Sequence, residues 1–304
     1  MQGTQPFCSI IVPCGRPGRV TITLDTVHNQ SYPRELYEIM LVTPAPEQLG
    51  NIGENGVCIV NSGKLLPPGA MRNLGAARAK GDIFLFLDDD CLVPVSWLDD
   101  MVRIMTRPES QKVGAVGCRV VAFHDSFWNC CADHALFSAY QGRQTGQVAG
   151  LGSAALAVRR QAFITVGGFD EKLLASEDWD FSLKLQEQGW QCWFSAATEV
   201  RHDHRRGGFI PILKASWRYG LTSGLLVQRR HISSVSWLAR VMVRMGHPGF
   251  YWFMILPYVA FATLLWCWEA RRFSRQLMCI PIVLLARSAY QLGVWQALCR
   301  SSIL

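Results

Sequence analysis

Three consecutive aspartates, Asp88-Asp89-Asp90, directly follow the apolar run Ile83–Leu87. Like charges crowded within a few ångströms raise one another's pKa values unless a cation or hydrogen bonds compensate. A divalent ion is the usual compensation, and hard oxygen ligands select Mg2+ or Mn2+. The same triplet could instead be a polar connection in which an aspartate caps the next helix; its place at the end of a strand favours the metal. A second acidic group, Glu177-Asp178-Trp179-Asp180, opens a predicted helix, with Glu171 a little upstream. Acids in a first helical turn suit the helix dipole, but four carboxylates exceed what capping needs. One of them, facing the mouth of a sheet, could take a proton from a hydroxyl. The third group is His202-Asp203-His204, after the predicted strand Phe194–Val200. Residues two apart on an extended chain point the same way, so either imidazole could complete the coordination of a metal held by aspartates.

The elements that must position these groups alternate in type. Phe7–Pro13, Tyr37–Val42, Val57–Val60 and Ile83–Leu87 are short, apolar, largely β-branched runs that read as buried strands. Val20–Gln30 and Gly69–Lys80 between them read as helices, bounded by Ser-Tyr-Pro at 31–33 and Gly81-Asp82. Strand–helix alternation over the first 90 or so residues predicts a parallel, doubly wound α/β sheet. Ligands of such sheets bind beyond the carboxyl ends of the strands, where the aspartate triplet falls. Further on, a helix is expected near Ser96–Thr106, a strand near Val113–Ala122 and a helix near Trp179–Gln188.

Charge divides the chain unevenly. Residues 1–200 hold 16 Lys/Arg against 21 Asp/Glu, whereas residues 201–304 hold 14 against 2. An acidic catalytic body over 1–206 is therefore expected to precede a basic helical region over 207–304 that meets something anionic. Ile210–Gln228 and Ile232–Met245 read as helices with basic polar sides. Phe250–Trp268 carries no charge and Leu277–Arg300 is apolar apart from Arg287. Leu277–Leu298 is long enough to span a bilayer and Phe250–Trp268 is near the lower limit, but Arg271, Arg272 and Arg275 lie between them. These helices are expected to dock on, dip into or cross the inner leaflet from the cytoplasmic face, with Arg218, Arg229, Arg230, Arg240 and Arg244 on anionic headgroups and Trp237, Tyr251, Trp252, Trp266 and Trp268 in the interfacial belt. A nucleic-acid partner is not expected, because the basic half is also the more apolar half. The 11 cysteines contain no CxxC pair and the N-terminus has no signal-like apolar run, which predicts a reducing, cytosolic setting for the body.

In order, these pieces resemble the family 2 inverting glycosyltransferases of the GT-A fold, a Rossmann-like mixed sheet flanked by helices. The resemblance runs over residues 7–230 through Ser9-Ile10-Ile11-Val12-Pro13, Asn29-Gln30-Ser31-Tyr32-Pro33, Arg72-Asn73-Leu74-Gly75, Ala79-Lys80-Gly81-Asp82, Phe86-Leu87-Asp88-Asp89-Asp90, Arg159-Arg160-Gln161-Ala162-Phe163 and Gly167-Gly168-Phe169-Asp170-Glu171, and closes with Glu177-Asp178 and the His pair. It implies metal-dependent transfer of a sugar from a nucleoside-diphosphate donor, UDP by the family's habit, to a hydroxyl of a lipid-linked or cell-envelope saccharide. It also implies roles: Asp178 as catalytic base; Asp88, Asp90 and His202 (or His204) on Mg2+ or Mn2+; Pro13, Thr43, Arg72, Asp88 and Asp89 on the donor, with Arg72 near the diphosphate; Glu177 and Trp179 on the acceptor side. The chain departs from the family pattern after the second strand, where Leu41-Val42-Thr43-Pro44-Ala45-Pro46 has no acidic pair to read a nucleobase, and in the shortened loop with Cys14-Gly15 after Pro13. A nucleotidyltransferase acting on a sugar phosphate, which would release pyrophosphate, and a non-catalytic nucleotide-sugar-binding protein are the rival readings.

Overall fold

The computed structural model describes residues 5–15, 17–137, 144–203, 207–230, 259–261, 263–264 and 278–301. The chain divides into two compact units: Met1–Phe123 with Tyr140–His204, and His124–Ala139 with Arg205–Leu304.

The first unit is built on one sheet. Strands β1 (Cys8–Pro13), β2 (Tyr37–Thr43), β3 (Val57–Asn61) and β4 (Ile83–Leu87) run parallel in the order β3-β2-β1-β4, as the strand–helix alternation predicts. Helices α1 (Val20–His28) and α2 (Pro68–Ala76) are the crossovers. Beyond β4 the sheet becomes mixed. Strand β8 (Ala155–Arg159) pairs antiparallel with both β4 and β6 (Val113–Ala122), and β6 runs parallel to β9 (Gln191–His202). Two short strands complete it: β5 (Cys91–Leu92) and β7 (Gly146–Val148), both antiparallel to β9. The purely parallel expectation thus holds for the first 90 residues and gives way where β8 is inserted between β4 and β6.

β4 is buried on both faces, as an uninterrupted apolar strand must be. Phe84 and Phe86 point to one side, where they meet Phe163 and Phe169 at ring-centroid distances of 5.1–5.6 Å, and Phe181 stacks on Phe169 at 4.5 Å. Ile83, Leu85 and Leu87 point to the other, into a core with Trp97, Leu98 and Met101 of α3 (Trp97–Thr106). Phe163 belongs to α5 (Arg160–Thr165) and Phe181 to α6 (Glu177–Glu187). The aromatic layer therefore fixes α6, with its acids, against the strand that carries the aspartates.

The second unit contains α4 (Phe127–Leu136), α7 (Phe209–Arg230) and α8 (Ile280–Ser301). Cys131 and Ala132 of α4 share a core with Ile212 of α7 and with Val283 and Ala286 of α8. A boundary at residue 206 left α4 in the catalytic body; its packing joins it to the C-terminal helices instead. Gly220, Gly224 and Gly293 let α7 and α8 approach backbone to backbone, since a Cβ on Gly220 would collide with the Tyr290 carbonyl. Among the described residues no helix is long and apolar enough to cross a membrane, and the α8 stretch turns one side onto α7 and α4. Ile232–Met245 and most of Phe250–Trp268 lie outside the described residues, as do Arg240, Arg244, Trp237, Tyr251, Trp252, Trp266 and Trp268.

At the start of β4 the backbone of Gly81 lies against β1. Its N–H donates to Ser9 Oγ at 2.8 Å, and Ser9 Oγ donates to Glu38 Oε1 at 2.7 Å. A Cβ there would lie 2.6 Å from the Ser9 nitrogen, an atom of backbone that cannot swing aside. Gly81→Ala is expected to lower unfolding free energy by about 1–3 kcal/mol, measured by denaturant titration; an unchanged midpoint would contradict this close approach.

Candidate active site

The aspartate triplet is held by backbone pairing from three directions. Asp88 N–H donates to the Ala154 carbonyl (3.0 Å) and the Asp88 carbonyl accepts Cys91 N–H (3.1 Å), closing a turn. Thr23 Oγ1 of α1 donates to the Asp89 carbonyl (3.0 Å), and Asp203 N–H to that of Asp90 (2.8 Å). The two-residue strand β5 then sets Cys91 opposite His202 at the end of β9. β9 reaches that far because it carries a bulge, slipping register against β6 between Ser195 and Glu199. The result is His202 Nε2 2.9 Å from Asp90 Oδ1. The ligand atoms of Asp90, Cys91 and His202 all lie within 4.8 Å of one another.

That donor set fits a divalent ion. Carboxylate and imidazole atoms converge from two strands, and Asp88 is close enough for its carboxylate to feel the charges of Asp90 and His202. The Cys91 thiol is pushed well up by burial and by the neighbouring aspartates, so it stays protonated and belongs to the core. Asp90, Asp88 and His202 would thus hold a hard ion such as Mg2+ or Mn2+. His204, the other imidazole the sequence offered, lies outside the described residues.

The second acidic group sits at the start of α6, after Ser176, whose φ of +61° is the left-handed conformation that non-glycine residues avoid. Strain of this kind persists only where surrounding structure imposes it. Asp178 Oδ2 accepts Ser153 N–H at 3.2 Å and its Oδ1 accepts Trp179 N–H at 2.8 Å. Burial, and then the Glu177 carboxylate, push the Asp178 carboxyl up to about 7, against the opposing pull of Arg72 and the two backbone N–H groups. A carboxylate with that pKa is matched to proton transfer near neutrality.

Arg72 joins the two groups. It is 3% exposed, with Nη2 2.6 Å from Asp88 Oδ1 and Nη1 2.7 Å from Glu177 Oε1, and its guanidinium lies 5.6 Å from the Phe169 ring centroid. The two carboxylates hold the arginine's charge more firmly than in water, while burial raises Asp88 above the ordinary carboxylate range. The sequence expectation put Arg72 against a diphosphate; in the structure its two terminal nitrogens bind carboxylates. Next to it, Asn73 clamps the Gly167–Glu171 loop: its Nδ2 donates to the Phe169 carbonyl and to Glu171 Oε1, and its Oδ1 accepts Phe169 N–H.

Of the remaining expected residues, Pro13 and Thr43 end neighbouring parallel strands, β1 and β2, on the same edge of the sheet as Asp88. Thr43 is fully buried and its hydroxyl accepts Ala45 N–H at 3.3 Å, so the side chain does not open onto a ligand. Asp89 is half-buried beside Asp88, and Trp179, half-buried, packs over Gly150, where any Cβ would strike its ring. Asn73, Ser153 and Phe169 have no role among the sequence expectations. Asn73 carried a signal, its place in Arg72-Asn73-Leu74-Gly75; Ser153 contributes only backbone and carried none.

An acidic strand end, an imidazole beside it and a carboxylate at a helix start thus lie on one edge of a mixed sheet. The pattern of the family described as "Glycosyltransferase like family 2" matches residues 44–213, more than half of the chain, and the chain belongs to that family. Among its relatives, the O-antigen biosynthesis protein RfbC of Myxococcus xanthus is 30% identical over 164 residues, and the pre-mycofactocin glycosyltransferase of Mycobacterium tuberculosis 31% over 145. These alignments take in 47% and 45% of this chain but only 13% and 30% of the two relatives. Glycosyltransferase AglE of Haloferax volcanii is 24% identical over 72% of this chain and 74% of its own length. The fold is shared with a mannosyltransferase from Pyrobaculum calidifontis solved with GDP-Man and Mn2+ (TM-score 0.64, 17% identity, 96% of this chain and 88% of that one). It is shared also with GalNAc-T7 solved with UDP, GalNAc and Mn2+ (TM-score 0.54, 14% identity, 76% and 52%).

For Asp178 to act as the base that the sequence predicts it must be ionised, so activity should climb with pH through about 7 and level off above it. The stability sign is opposite: a raised carboxyl pKa favours the folded state below the ordinary carboxylate range, and that contribution is lost as pH rises through about 7. Asp178→Asn should therefore reduce turnover by about 10²–10⁴-fold while raising the melting temperature at pH 8. Near-parent turnover, or a variant that melts lower, would contradict the assignment.

Proposed function

We propose that this chain is an inverting glycosyltransferase that moves a sugar from a nucleoside-diphosphate donor, UDP-linked, to a hydroxyl of a lipid-linked or cell-envelope saccharide. The observation that carries the proposal is the pairing of Arg72 with both Asp88 and Glu177, which sets a cation-binding strand end next to a half-buried base. Donors named with the fold's neighbours, GDP-Man and UDP-GlcNAc among them, support a nucleotide sugar, and a relative named for O-antigen biosynthesis supports an envelope saccharide as acceptor.

In this reading Asp178 accepts the proton of the acceptor hydroxyl as that oxygen attacks the anomeric carbon. The nucleoside diphosphate departs from the opposite face, so the configuration inverts. Two backbone N–H groups fix the Asp178 carboxylate in one orientation before the acceptor arrives, and the half-buried Trp179 offers the acceptor an apolar wall beside it. Asp88, Asp90 and His202 would hold the cation, with Asp89 beside them. When bound, Mg2+ or Mn2+ supplies Lewis-acid neutralisation of the leaving diphosphate. Arg72, engaged by Asp88, positions that carboxylate.

Incubation with a panel of UDP- and GDP-sugars, with products identified by mass, tests the reaction. Nucleoside diphosphate is the expected product; release of pyrophosphate in a parallel reaction given a nucleoside triphosphate and a sugar phosphate would instead indicate a nucleotidyltransferase, and no turnover in either reaction a binding protein. Chelation should abolish turnover, and Mn2+ or Mg2+ should restore it. His202→Ala should raise the metal concentration for half-maximal turnover by about tenfold or more, a loss seen even when a residue merely supports a metal ligand. Turnover indifferent to chelation would sink the metal assignment.

A further inference from the structure

Helix α8 is apolar around its whole circumference apart from a few polar positions, Arg287 chief among them. A helix of that kind requires apolar surroundings on every side. Its inner side has them: Val283, Ala286, Val294 and Ala297 are buried. Its outer side does not, with Leu285 46% and Leu292 37% exposed. Helix α7 shows the same division. Ile210 and Trp217 are 61% and 40% exposed, one side of the helix seven residues apart, and the exposed Lys214 and Arg218 lie on the same stripe. Trp217 Nε1 donates to Gln296 Oε1 of α8 at 3.1 Å, so the two exposed stripes adjoin and form one surface.

We propose that this α7–α8 surface lies on an anionic phospholipid membrane, in the plane of the headgroups. An apolar stripe edged by lysine and arginine and containing a tryptophan is what such a surface takes up. No described helix is long and apolar enough to cross, which leaves lying on the membrane as the mode for these two helices. Charge decides against a second copy as the cover. Helices α7 and α8 together carry six Lys/Arg and no acid; two such surfaces repel, whereas anionic headgroups attract them. Binding would use none of the catalytic residues, so it can succeed or fail independently of the proposed reaction, while giving that reaction access to a lipid-linked acceptor.

The test is flotation of the full chain with vesicles of phosphatidylcholine alone or with about 30% phosphatidylglycerol, the anionic headgroup contributing per basic residue. The parent should float with the anionic vesicles, remain behind with the neutral ones and dissociate at high salt. Trp217→Ser with Leu285→Ser should weaken partitioning by about tenfold or more, the loss of two partly buried apolar side chains. Lys214→Glu with Arg218→Glu, which changes only exposed charge and leaves the core untouched, should abolish the preference for anionic vesicles. Absence of flotation, equal binding by parent and charge-reversed protein, or a dimer formed without vesicles and dissolved by the serine substitutions would each overturn the proposal.

Discussion

A single buried guanidinium organises the catalytic unit. Arg72 has two carboxylates within 2.7 Å, one from the strand end that carries the aspartate triplet and one from the helix that carries Asp178. Burying three charged groups is unfavourable unless the geometry is good and the partners are complete. Loss of any one would leave an uncompensated charge, a defect that costs about 3–5 kcal/mol. The arrangement therefore ties the position of α6 to the position of β4. The aromatic layer of Phe86, Phe169 and Phe181 beneath it keeps water from screening the contact and holds the arginine's flat face against Phe169.

The same burial explains the chemistry. Asp178 is pushed up chiefly because it is removed from water, and next because Glu177 stands beside it. Glu177 is in turn engaged by Arg72, whose charge reaches Asp178 and partly offsets both effects. The proposed base is thus tuned by a network that also fixes Asp88. His202 enters by a different route, through the two-residue pairing of β5 with the end of β9. The proposed cation site and base are consequently built on separate supports, joined through Asp88.

Much of this was legible in the residues. Four strands ending on one sheet edge follow from the apolar runs and the breaks between them, and the acids stand where those strands end. The partners were harder to read. Nothing in the local sequence says that Arg72 pairs with two carboxylates, because one of them stands on a helix that starts more than a hundred residues later. The antiparallel insertion of β8 was likewise hidden: Ala155–Arg159 is short, ends in charge and runs straight into a helix, so its apolar pattern is too brief to mark a strand. α4 was missed for a similar reason, since its apolar residues match partners in α7 and α8 that lie far along the chain. The lack of an acidic pair near Thr43 was readable, and the burial of Thr43 itself extends that observation from sequence to structure.

The coupling through Arg72 is the central claim, and the pH dependence of donor turnover in Arg72→Gln tests it most directly, with Arg72→Lys as the charge-retaining control and circular dichroism to verify folding. Removing the cation that holds Asp178 down should move the acid limb from about 7 in the parent to about 8 or above in the glutamine variant, a shift typical of losing one nearby opposite charge, with the lysine variant between them. A limb that stays at about 7 in both variants would show that Arg72 does not govern the base, and would contradict the account.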